Sequence, residues 1–199
     1  MIDASKYVNS QPAMKMAAAA AVPAPEPISL ERAKQHLRVV YDDEDEYISA
    51  LIVAAREMAE QRLNRTLVRR IRRVAFDRME VFYRLPKPPF VGLVSVNYSV
   101  PGGVTPVDAI AYGLDEISTP ARIVPISGWP SLNEAGSTVI VEYEAGYAEG
   151  EVPAPIIQWM LLVIGSLYEN RETMTAGVTV SSIPEEFTSW LLQPYMVYE

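Results

Sequence analysis

The sequence has no cysteine and a single histidine, His36. Without thiols there is no disulfide framework and no thiolate metal site, and one imidazole cannot supply a multi-histidine centre within one chain. No glycine-rich phosphate loop, no G-x-S-x-G nucleophile elbow and no H-E-x-x-H zinc helix occurs. Long apolar runs are missing too. The longest, Ile156 to Ile164, is interrupted by Gln158 and reaches about half of the roughly 20 residues that a membrane span needs. Met16 to Val22 is shorter, weakly hydrophobic and followed by Pro23, Pro25 and Pro27, so it is not read as a secretion signal. Positive charge is scarce: 17 Lys and Arg stand against 25 Asp and Glu, a formal net charge of −8. That balance argues against phosphate neutralisation as the main task, although an acidic surface would let nucleic acid slide past without sticking.

What is present organises into three stretches. Residues 1–27 are an arm of Ser, Asn and Gln, an Ala run from Ala17 to Ala21, and alternating Ala and Pro. The prolines favour extended geometry and forbid a continuing helix. The arm is read either as a disordered tail or as a segment that orders on a neighbouring subunit. Residues 28–172 form the main domain, and residues 173–199 a C-terminal segment with a short helix and a docking tail.

Within the main domain, Ser29 predicts an N-cap for a helix over 29–38, with Leu30, Ala33 and Leu37 at helical spacing. A second helix is expected over 43–64. Asp43 and Glu46 form a D-x-x-E capping box, inside the acidic stretch Asp42, Asp43, Glu44, Asp45, Glu46. Calcium-loop spacing is absent from that stretch. Ile48, Leu51, Ile52, Ala55, Met58, Ala59 and Leu63 make one apolar stripe, with Arg56, Glu57, Glu60 and Gln61 on other faces. Asn64 is the expected C-cap. A third helix, 155–169, is apolar nearly all round and is expected in the core, or in the core and against a neighbouring subunit.

Residues 67–146 read as β structure: strands near 67–74, 90–100, 104–110, 120–125 and 137–143. Pro101-Gly102-Gly103 supplies a turn, and Gly128-Trp129-Pro130 a loop with an aromatic anchor. A basic cluster, Arg69, Arg70, Arg72 and Arg73, opens this region and is joined by Arg62, Arg65, Arg78 and Arg84. It lacks the aromatic interleaving of nucleic-acid stacking platforms, so an acidic protein partner or phosphate contact during DNA passage is the preferred reading over specific nucleic-acid binding. Glu142 and Glu144 lie two apart on a strand. They could do acid–base work but read as a solvated strand face. Beyond residue 173, Ser182 with Glu185 forms a capping box for a last helix holding Phe187, Trp190, Leu191 and Leu192. Pro194 stops it, and the aromatic tail Tyr195, Met196, Val197 and Tyr198 must dock, on its own chain or on a partner.

The fold class expected is α+β: a mostly helical bundle with an inserted small antiparallel β subdomain and extended N- and C-terminal arms. Three stretches together resemble one family: Ile28 to Arg38 with the acidic stretch and Ile48 to Asn64; Pro120 to Ile123 with Gly128-Trp129-Pro130 and Val139 to Tyr147; and Val152 to Gln158 with Leu167 to Glu172. In order and spacing they are similar to the head–tail connector (adaptor) proteins of tailed phages, in the branch with a β insertion between its helices. The long Ala/Pro arm departs from that pattern. The resemblance implies a homo-oligomeric ring of about a dozen copies under a portal protein. It implies a neck or tail-completion protein below the ring, genomic DNA passing through without sequence-specific binding, and no membrane. It implies no catalytic residues, no metal and no cofactor. Rings need heterologous contacts. The candidate interface residues are Asp42, Asp43, Asp45 and Glu46 against Arg69, Arg70, Arg72 and Arg73, with Trp129, Trp190, Tyr195, Met196, Val197 and Tyr198 toward partners. The alternatives are another neck, tail-completion or terminator protein, a small acidic-site hydrolase, or a DNA-binding regulator.

Overall fold

A computed structural model describes residues 24–132, 136–170 and 190–198. The expectations for residues 1–23 and 171–189, including the Ser182–Glu185 cap, lie outside these. The chain divides into two compact units, each with its own core: a helical unit, Pro23–Val68 with Tyr147–Glu199, and a β unit, Arg69–Gly146. Three helices and seven strands are described, so the chain is α+β but the β part is far more than a small insertion.

In the helical unit, α1 is Leu30–Leu37 and α2 is Asp45–Leu63. The Ser29 hydroxyl accepts from the Arg32 amide at 3.2 Å, the expected cap. The second cap differs. Asp43 sits in a turn before α2, the N-cap is Glu44, and no side chain caps it. The acidic stretch is used otherwise: Lys34 of α1 donates to Asp42 and to Asp45, each at 2.6 Å, bracing the α1–α2 loop. Asn64 ends α2 in the left-handed region, as its small polar side chain tolerates. Helix α3, Ala154–Glu169, starts on Pro153 and Pro155, whose missing amides cost nothing in a first turn. Ile156, Ile157, Trp159, Met160, Leu161 and Ile164 pack against Ile48, Ile52, Ala55, Ala59 and Leu63. Each large buried side chain contributes on the order of 1.5–3 kcal/mol.

Two expectations for α2 fail. Met58 is 46% exposed, whereas Arg56 and Glu60, expected on outer faces, are each 7% exposed. The reason is an ionic network. The Arg56 guanidinium donates to Glu26 at 2.8 Å and to Glu60 at 3.4 Å, while Glu60 accepts from the Leu67 amide at 2.7 Å. The second Glu60 bond satisfies backbone just beyond α2, and Arg56 neutralises the buried carboxylate. Glu26 thereby ties down the end of the Ala/Pro arm.

In the β unit, the strands are β1 (Arg70–Phe76), β2 (Tyr83–Arg84), β3 (Phe90–Val100), β4 (Gly103–Pro106), β5 (Tyr112–Asp115), β6 (Arg122–Pro125) and β7 (Thr138–Ala145). They form two antiparallel sheets, ordered β1-β7-β3-β4 and β2-β6-β5. Strand β7 alternates buried and half-buried residues, the signature of a strand with one core face. The β3–β4 turn uses Gly102 at φ 112°, open only to glycine at low strain. The core sets aromatic rings among aliphatic side chains. Tyr83 lies 4.7 Å from Phe76 and stacks on Trp129 at 5.4 Å, and Tyr143 donates to the Pro86 carbonyl.

Candidate interaction surfaces

The alternation of β1 splits the arginine cluster. Arg70, Arg72, Val74 and Phe76 share one face and are half-buried, with Val74 and Phe76 against the β core; Ile71, Arg73 and Ala75 share the other and are exposed. Arg69 precedes the strand and is exposed. A strand has a two-residue period, so consecutive basic residues cannot form one basic face. A run of charge in sequence is thus not a patch in space, and the one-sided arginine face that a DNA-binding regulator needs is not formed by β1. Arg73 lies 3.9 Å from Glu142, itself held by the Ser95 hydroxyl at 3.1 Å. Glu142 and Glu144 sit on the half-buried face of β7, Glu142 between Arg73 and Ser95.

The acidic loop of the helical unit presents Asp42, Asp43 and Glu46 as exposed and Asp45 as half-buried. The Lys34 ammonium holds the Asp42 carboxyl below its usual range, by hydrogen bond first and by charge second, and Lys34 itself is raised. At the same end Tyr168 donates to Glu44, which with partial burial pushes its hydroxyl up to about 12. Trp129, a candidate for external contact, is engaged within its own unit: its indole donates to Tyr83 at 3.4 Å and meets Tyr112 edge-on at 6.2 Å. The aromatic tail divides. Tyr195 and Met196 pack on the helical core and the Val197 amide donates to the Leu63 carbonyl at 3.0 Å, so this stretch docks on its own chain. Trp190 and Tyr198 are 77% and 75% exposed.

Two features escaped sequence reasoning. One is the pair Arg84 and Arg122, which face each other across β2 and β6 and both lie against one aromatic, Phe82; only pairing of strands far apart in sequence brings them together. The other is the division of charge. Arg69–Gly146 holds eight Lys and Arg against eight Asp and Glu, while Pro23–Val68 with Tyr147–Glu199 holds seven against sixteen. The acidic excess belongs to the helical unit. That signal was readable in the sequence once the unit boundaries were known. Among the described residues there is no His, Asp and Glu cluster able to hold a metal, and no helix is long and apolar enough to cross a membrane.

Among the described residues the three helices and the two antiparallel sheets define an α+β chain. Over 90% of this chain and 94% of the other, the fold matches a chain in the neck of an empty gene transfer agent (GTA) particle computed with C6 symmetry, with a TM-score of 0.73 and 22% identity. It also matches a chain from the virion of a native GTA particle (TM-score 0.70, 21% identity, 87% and 91% covered) and one from the neck of a native GTA particle computed with C12 symmetry (0.65, 21%, 83% and 88%). No curated protein matches the chain. Residues 27–89 match the model of the phage gp6-like head-tail connector family, in agreement with the resemblance read from the sequence. That family is one of structural virion proteins, not of enzymes.

Proposed function

We propose that the protein is a structural subunit of a virion neck, a head–tail connector without catalytic activity. It stands in a closed ring of about a dozen copies below a portal protein, joins head to tail and leaves a channel for DNA. The observation that carries this reading is the connector family match over residues 27–89 inside a fold shared, along nine-tenths of the chain, with a neck protein. The sixfold and twelvefold symmetries of those necks support a ring. The division of charge supports a heterologous contact, in which the acidic loop Asp42–Glu46 of one copy meets Arg69 and Arg73 of the next. Trp190 and Tyr198 supply exposed aromatic surface for the portal or the tail-side partner.

Mass by light scattering, for the protein alone and mixed with portal protein, tests the reading. A large ring, or a monomer that assembles only on the portal, is expected. A monomer or dimer indifferent to the portal refutes it. The Arg69→Glu/Arg73→Glu variant is expected to stay folded and fail to assemble; unchanged assembly removes this contact from the proposal.

A further inference from the structure

Arg84 and Arg122 are direct cross-strand partners, so their side chains leave the same face of the small sheet. Both guanidinium carbons lie near the Phe82 ring centroid, at 5.6 and 4.7 Å. Like charges set opposite each other on a sheet are unfavourable, and the ring quadrupole offsets only part of this. Among the described residues, Asp115 offsets part of the remainder at Arg122 by its charge. Among the described residues neither arginine has a carboxylate within 4 Å, and Arg122 Nε is buried without any acceptor. Asp115 is the register partner of Arg122 on the other side, but its carboxylate is committed to its own turn. It accepts from the Ile117 and Ser118 amides at 3.1 Å and from the Ser118 hydroxyl at 2.6 Å.

Two guanidinium forks set on one aromatic, with no carboxylate within 4 Å among the described residues, are half of a binding site. The missing half is a planar anion able to accept from both forks, as carboxylates do. The occupant follows from charge. The β unit that carries the pair is balanced, and the sixteen acidic residues against seven basic ones lie in the helical unit of the same sequence. A second copy of the chain therefore supplies the complementary surface, whereas the net charge of −8 opposes a polyanion such as DNA.

We propose that Arg84 and Arg122, seated on Phe82, receive a carboxylate from the helical unit of a second copy of this protein. The inference rests on the ring reading above and gives it a contact outside the arginine strand β1. The test uses the full chain. Arg84→Gln/Arg122→Gln is expected to raise the concentration at half-assembly about tenfold or more, and to flatten its dependence on salt. Phe82→Leu, which keeps both charges but removes their platform, is expected to give a smaller shift in the same direction; it and the exposed single change Arg84→Gln decide the matter if the double variant melts early. Arg84→Lys followed by zero-length amine–carboxyl coupling is expected to give an intermolecular cross-link to residues 23–68 or 147–199. A folded double variant with unchanged assembly and salt slope overturns the inference and leaves the ring reading standing. So does a cross-link confined to 69–146, or a variant that loses only retention on duplex DNA at low salt. A wild-type chain that never assembles, alone or on the portal, overturns both.

Discussion

The helical unit and the β unit solve the same problem by opposite means. The helical unit is strongly acidic, yet it buries a cation: Arg56 lies between Glu26 and Glu60 beside an aliphatic core. The β unit is charge-balanced and keeps Arg69, Arg73 and Arg84 exposed, with Arg122 half-buried against Phe82, around a core that sets Tyr83 and Tyr143 among aliphatic side chains. One unit has buried an ion pair, Arg56 with Glu60, and holds a surplus of acidic residues. The other packs two tyrosines among aliphatic side chains and keeps several arginines at its surface. The proposed ring would set this contrast to use, since a heterologous interface joins two different surfaces of one chain.

The comparison is sharpened first in the two cores. Met160→Ala in the helical unit and Ile123→Ala in the β unit each remove a side chain that is fully buried, and each is expected to cost about 3–4 kcal/mol in chemical unfolding. A loss below about 1 kcal/mol for Ile123→Ala would mean that the β unit has no core of its own. Next come the two arginine environments. Arg56→Met strands two carboxylates, one of them buried, and is expected to cost about 3 kcal/mol. Arg73→Met removes an exposed pair at 3.9 Å and is expected to cost under about 0.5 kcal/mol. Equal losses would break the contrast. Ser29→Ala, which removes the α1 cap, is expected to lower stability by about 1 kcal/mol in the same assay.

The smallest effect concerns acid. Asp42 has its carboxyl lowered from 3.8 by Lys34, so the loop brace is complete above about pH 4 and fades as pH falls through the lowered value. Lys34 is raised from 10.5, so its share is complete below that value and is lost only in stronger alkali. Acid unfolding of Lys34→Met should begin from lower stability at neutral pH and show a shallower decline below pH 4. An unchanged acid profile would mean that the brace adds nothing.

Much of the helical unit was legible. Ser29, Asn64, Pro153 and Pro155 mark helix ends by local chemistry, and the stripe from Ile48 to Leu63 follows from the period of the helix. Strand β3, Phe90–Val100, and its turn at Gly102 were equally readable, because β-branched runs and glycine act locally. The short strands β2 and β5 were not, since two or four residues carry no periodic signal and exist only through pairing with β6.

The sequence by itself determined the α+β character, the exclusion of thiol and multi-histidine chemistry, the acidic balance and the connector resemblance. All of these depend on composition, on short-range spacing or on the order of motifs. Only the tertiary structure decided which charges matter. It buried Arg56 and Glu60, gave Asp42 and Asp45 to Lys34, and docked Tyr195 and Met196 on their own core. It also divided the arginines of β1 between two faces and set Arg84 against Arg122. An ion pair or an empty guanidinium fork is a fact about distance between residues remote in sequence, and that distance is fixed only when the strands and helices pack.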